Sequence, residues 1–150
     1  MRFIINLFIK LLKEIKLKSK EINNFSGMGL ILYNSRYFSN IPHFSLRPMY
    51  KLPKNKINIK NSSAIDFLLK ISRKNNTLHD GFHFINETGD LTHVSQYFVP
   101  PIRKIKINKS QGVRYHAALL GSYIKGIILV GILTADKKTY YFKKGKVYKV

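Results

Sequence analysis

The chain predicts a single α/β domain, a twisted mixed sheet flanked by helices. Three observations carry this. From residue 62 onward the apolar patterns run helix, hairpin, loop, helix, hairpin, strand, an order that packs helices on a largely antiparallel or mixed sheet. The run GIILVGILT has the length and β-branched content of a buried strand. The 150 residues are 45% hydrophobic and contain no cysteine, enough apolar material for one core without disulfides.

The elements follow in order. Residues 3–17, FIINLFIKLLKEIKL, lose their apolar run at Lys10, far short of the ~20 residues of a membrane span. No small-residue cleavage site follows, so a core-packing helix is expected, with a membrane-surface anchor as the alternative. Between Asn23 and Asn61 the prolines at 42, 48 and 53 discourage a helix, and extended, irregular chain is expected, with one short strand over Gly29–Tyr33. Ser62 and Ser63 are N-cap candidates for a helix over Ala64–Lys74. Gly81–Ile85 and Leu91–Val99 read as a hairpin, with Gly89 supplying a positive φ between them. Val113–Lys125 reads as a helix closed by Gly126. The buried strand comes next, then TYYF as its hairpin partner, and VYKV after a turn at Lys143–Gly145.

The net charge of +20 comes from 27 Lys and Arg against seven acids. Such a surplus suggests an anionic polymer or surface as partner. Yet 21 of the cations are lysine and six are arginine, and lysine, isoleucine and asparagine together are what AT-rich coding produces. Arginine makes the forked contacts that read phosphate and guanine. Nucleic-acid contact is therefore expected to be non-specific. The charge is also uneven: +10 over residues 1–60, −1 over 61–100 and +11 over 101–150. The neutral middle holds LHDGFHF, where a cation-binding carboxylate would belong.

Two short segments carry candidate chemistry. In GVRYHAALLGS, Gly112 precedes a helix whose first-turn amides and dipole favour an anion, and Arg114 and His116 lie two apart to flank a phosphate. Asp80, in the Asp-Gly pair, could hold a divalent cation that neutralises such a phosphate. Taken alone, each also reads as ordinary structure: a helix with a surface Arg and a half-buried His, and an Asp-Gly turn. His79, His83, His93 and His116 lack zinc-site spacing, and neither a Walker loop nor a Gly-x-Ser-x-Gly elbow is present.

Taken together, the segments resemble the diadenylate cyclase (DAC) domain family, which includes divergent nucleotide-sensor relatives. That family has Asp-Gly-Ala at a strand-associated turn, then Gly-Thr-Arg-His-Arg-Ala-Ala opening a helix. A hydrophobic strand follows, ending near a Ser-Glu-Glu-like stretch, and then a hairpin. Here the counterparts are Asp80-Gly81-Phe82, Gly112-Val113-Arg114-Tyr115-His116-Ala117-Ala118 and Ile127–Thr134 followed by Ala135-Asp136, with the finish Tyr141-Phe142-Lys143-Lys144-Gly145. The chain departs at Phe82, where the family has a small residue, at Val113 in place of Thr, at Tyr115-His116 in place of His-Arg, and at Ala135 in place of an acid.

The resemblance covers roughly residues 62–148. It implies a nucleotide-binding domain over 62–150, with residues 1–60 as a basic extension. It also implies that Asp80 and Asp136 are the catalytic and metal-binding carboxylates for Mg²⁺ or Mn²⁺. Gly81, Phe82, Gly112, Arg114, His116 and Ser122 would contact the nucleotide, ATP or a cyclic dinucleotide. The function expected from it is a nucleotide sensor or sink, with possible weak diadenylate cyclase activity joining two ATP into cyclic di-AMP. In a working cyclase two domains face each other and each 3′-hydroxyl attacks the other's α-phosphorus, so a homodimer or larger homo-oligomer is implied, in the cytoplasm. The alternative is a basic nucleic-acid-binding protein without catalysis.

Overall fold

A computed structural model describes all residues from Met1 to Val150. Seven strands form one sheet in the order β2-β4-β3-β1-β5-β6-β7. They are β1 (Met28–Tyr33), β2 (His43–Ser45), β3 (Phe82–Asn86), β4 (Leu91–Phe98), β5 (Ile127–Leu133), β6 (Thr139–Lys143) and β7 (Lys146–Lys149). Only β1 and β3 run parallel; the other neighbours are antiparallel, so the sheet is mixed, as expected.

Helix α1 (Arg2–Ser19) buries Ile4, Phe8, Leu11, Leu12 and Ile15, a stripe at helical spacing. With α2 (Ser62–Ile71) it covers one face of the sheet, over Leu30, Leu32, Ile85, Leu129 and Leu133. Gly131 lets α1 come close: a Cβ there would stand 2.7 Å from Leu12 Cδ2. Burying side chains such as Phe8 and Leu12 stabilises the domain by roughly 1.5–3 kcal/mol each. No helix is long and apolar enough to cross a membrane. Helix α3 (Val113–Gly121) covers the opposite face, over Ile31, Tyr33, Phe84, Val130, Ile132 and Phe142. Successive residues of β1 and β5 alternate between these two clusters, as the two-residue period of a strand requires.

Several boundaries differ from expectation. The division at residue 60 is not a structural boundary, because β1 lies mid-sheet between β3 and β5 and all six of its residues are buried. The segment read as irregular contains a 3-10 helix over Ser35–Asn40 and the edge strand β2. Pro42 is tolerated there because only its carbonyl is needed, accepting from the Val99 N–H at 3.0 Å. Asn61, not Ser62 or Ser63, occupies the N-cap position of α2, and no side chain caps it. Helix α3 ends at Gly121, four residues early, with Ser122 as its cap. The Ser122 hydroxyl donates to the Leu119 carbonyl and accepts from the Gly145 N–H, tying the helix end to the β6–β7 turn.

Candidate functional site

The site lies at the end of the sheet where β1 and β3 begin and β4 and β5 finish, with the head of α3 beside it. Gly81 makes the geometry possible. Its φ is +78°, and a Cβ on it would stand 2.4 Å from the Gln96 carbonyl oxygen. The chain can enter β3 this close to β4 only as glycine. This places Asp80 at the mouth of the site, half-exposed, its carboxylate 3.4 Å from His79 Nδ1.

Arg114 comes from the first turn of α3 and reaches back toward the start of β1. A Cβ on Gly27 would be 2.7 Å from its Nη1, so the space left by that glycine accommodates the guanidinium. Burial lowers the Arg114 pKa, and the negative charge of Asp80 works against that shift. None of the five ion pairs in the molecule involves Arg114, and no side-chain hydrogen bond satisfies it. A guanidinium drawn partly out of water without a matching carboxylate is costly, which makes this position informative. Asp80 and Arg114, thirty-four positions apart in sequence, face the same cavity.

Arg114 and Val113 together form a wall shared by two cavities. One, of about 450 Å³, is mainly apolar, with Phe82, Tyr97, Phe98 and Ala117 around it and Asp80 at its polar side. The other, of about 400 Å³, is more polar, with Ser26, Gln111, Thr134, Asp136 and Lys138 around it. Helix α3 has no side-chain cap at Gly112, so its Val113, Arg114 and Tyr115 amides have no intrahelical acceptor, and these three residues border the second cavity.

His83 is buried beneath this region. Its Nδ1 accepts the Ser95 N–H at 3.0 Å in an irregular stretch of β4, where Ser95 has a φ of +50° and its own hydroxyl makes no hydrogen bond. Burial first, and the charge of Arg114 second, push the His83 pKa down to about 3. This depressed pKa makes stability fall with acid. Above the ordinary imidazole value of about 6.5 both folded and unfolded chains hold the ring neutral; below it only the unfolded chain takes the proton, until the folded value is reached. Between pH 7 and pH 5 His83 is expected to remove about 2 kcal/mol of unfolding free energy. Urea unfolding across that range tests this, and a His83→Gln variant is expected to lose that part of the slope.

The remaining residues singled out in the sequence fall on both sides. Phe82 is buried, edge-on to Phe98 at 5.4 Å between ring centroids, and it fills the space above Gly29, where a Cβ would stand 2.5 Å from its ring. It supplies cavity floor rather than a free stacking face. His116 lines neither cavity. Its Nδ1 lies 2.9 Å from the Gly112 carbonyl and its Nε2 accepts the Asn108 N–H at 3.2 Å, so both nitrogens hold the loop before α3 and neither is left for phosphate. Ser122 sits at the far end of α3 and is likewise withdrawn from the site. Gly112 is exposed, with nothing within 4 Å of a would-be Cβ and an ordinary φ of −88°, so neither space nor conformation demands glycine there.

A divalent cation shared by Asp80 and Asp136 does not fit these residues. The two carboxylates border different cavities with Arg114 between them. Asp136 already accepts the Thr134 hydroxyl and pairs with Lys138 Nζ at 3.5 Å; these contacts, the Thr134 bond first, hold its pKa down. No three His, Asp or Glu side chains cluster closely enough to hold a metal ion. Gly27, Lys138 and the aromatic pair Tyr97 and Phe98 were not singled out by sequence. Of these only Lys138 carried a local signal, two residues beyond Asp136.

No family model matches the chain, and no curated protein does. Solved structures do. A hypothetical membrane spanning protein from Bacillus cereus superposes with a TM-score of 0.68 at 13% identity, over 97% of this chain; the chain spans 62% of that protein. DacA from Staphylococcus aureus, solved as a double mutant, superposes with a TM-score of 0.63 at 19% identity, over 99% of this chain and 89% of that one. The fold is DAC-like. The likeness to DacA takes in residues 1–60 as well, well beyond the motif-bearing part of the sequence.

Proposed function

We propose that this DAC-like domain binds a nucleotide, ATP or a cyclic dinucleotide, and acts as a sensor or sink for it. The observation that carries the reading is Arg114, a largely buried guanidinium without a protein acceptor, set between an apolar and a polar cavity. A nucleotide has the matching division, a flat apolar base and an anionic phosphate, and Arg114 at the boundary suits the phosphate. The DAC-like fold and the order of the Asp80 and Arg114 segments support the same ligand class.

Binding to the folded state alone stabilises it by about 2.7 kcal/mol at a ligand concentration one hundred times Kd. For a chain of 150 residues that corresponds to a melting shift of roughly 5–11 °C. ATP and cyclic di-AMP are each to be tested, with and without Mg²⁺; no shift with either sinks the reading. Incubation with ATP and Mn²⁺ addresses catalysis, and robust formation of cyclic di-AMP would replace sensor with enzyme.

A second reading rests on the other end of the sheet. The Arg103 guanidinium lies 3.9 Å from the Tyr123 ring centroid, and Lys125 and Arg36 stand over Tyr37 at 5.0 and 5.8 Å. Cations stacked on tyrosine in a chain of net charge +20 suit the backbone and bases of single-stranded nucleic acid. That reading requires affinity to fall linearly on a log–log salt plot and to be indifferent to Asp80→Asn.

A further inference from the structure

Lys138 has no counterpart among the residues that the resemblance assigns, yet it stands at the polar cavity beside Asp136. A tight turn puts it there. The Thr134 N–H donates to the Lys138 carbonyl at 2.8 Å, and the Lys138 N–H donates to the Thr134 hydroxyl at 2.9 Å. Lys137 takes the positive φ of +70° that closes the turn. Asp136 and Lys138 thus leave the same loop, with the ammonium 3.5 Å from the carboxylate. Arg114, which forms no ion pair, lines the same cavity.

The charges in this cavity are therefore two permanent cations and one carboxylate that is already matched. A carboxylate pair that recruits Mg²⁺ presents the opposite balance, surplus negative charge waiting for a cation. Here the position beside Asp136 is taken by a covalently attached ammonium.

We propose that Lys138 takes the place of a divalent cation, so that the polar cavity accepts a phosphate group directly, between Lys138 and Arg114, without metal. This rests on the nucleotide reading above and specifies how that ligand is held. Arg114 supplies a forked donor and Lys138 a point charge on a flexible stem, and the first-turn amides of α3 complete the donor set. Asp136 then has a role opposite to that of a metal ligand: it restrains Lys138 and competes with the incoming phosphate.

That opposition gives the experiment. ATP binding is measured by titration calorimetry in EDTA and again in excess Mg²⁺, for the wild type, Lys138→Gln and Asp136→Asn. Both side chains are largely exposed, so their variants are expected to melt with the wild type. The expected result is wild-type affinity that agrees in the two buffers within about threefold, a loss of about tenfold in Lys138→Gln, and a gain of about threefold in Asp136→Asn in EDTA. Binding that appears only with Mg²⁺, or is weakened by Asp136→Asn, overturns the metal-free cradle and leaves the nucleotide reading standing. Unchanged affinity in Lys138→Gln removes Lys138 from the site. Absence of ATP binding in both buffers overturns the nucleotide reading and this inference with it.

Discussion

Replacing Arg114 by methionine is expected to weaken ATP binding by about a hundredfold while leaving the unliganded protein as stable as before, or about 1 kcal/mol more stable. The two effects have one cause. Arg114 is held largely out of water, and burial dominates its pKa shift, with Asp80 supplying only partial compensation. In the free protein that guanidinium is a cost, whereas an apolar stem of similar length would pack beside Val113 and Phe82 without it. With a phosphate present the same group gains a charged acceptor in a poorly hydrated place, where hydrogen bonds to ions are worth most. Titration calorimetry and urea unfolding on the same preparation measure both sides. A variant that loses stability and binding together would mean that Arg114 is a structural pin and not a ligand-binding group. The loss of its charge is also expected to raise the His83 pKa, since Arg114 is the second cause of its depression.

Gly81→Ala is expected to cost about 3 kcal/mol or more of unfolding free energy. The left-handed φ of +78° strains any side chain, and here the added methyl would also meet backbone, the Gln96 carbonyl oxygen at 2.4 Å, which cannot swing aside as a side chain would. Gly112→Ala is the informative control. Its φ is ordinary and its surroundings are open, so the cost is expected to stay below about 1 kcal/mol, the difference between glycine and alanine as a helix cap. Chemical denaturation of the two variants side by side checks the contrast. Equal losses would mean that the Asp-Gly turn does not set the close passage of β3 along β4.

The contrast between these glycines shows what was legible in the sequence. Gly81 and Gly112 look alike on paper, each within two residues of a charged candidate, Asp80 or Arg114, and only the packing of β4 separates them. The hairpins, the buried strand of GIILVGILT and α1 were legible because each depends on a local apolar period. That Asp80 and Arg114 border one cavity was legible from the order of their motifs, and the distance between them in sequence was no obstacle. His116 and Ser122, which the resemblance assigned to the nucleotide, bond backbone groups here. A polar side chain at either end of a helix serves a ligand or the backbone equally well, and the partners here are Gly112, Asn108, Leu119 and Gly145, fixed by loop geometry. Phe82 stands where the family has a small residue, and its volume is absorbed by Gly29 on the neighbouring strand. The division at residue 60 failed because MGLILY says only that a strand is buried, not which strands lie beside it.

The place of that strand bears on how the protein is made. Strand β1 pairs with β3 and β5, and its partners along β5 lie about a hundred residues further along the chain. During synthesis Met28–Tyr33 emerges early as an apolar segment with both edges open, gains β3 only after the second helix, and waits for β5 until most of the chain has been translated. Contacts of such separation make folding slow, because a long loop must close before any pairing energy returns. Before then α1, joined later by α2, supplies the apolar surface that shields one face of the strand, so shortening the first twenty residues is expected to cost soluble yield during expression before it costs anything at the nucleotide cavities.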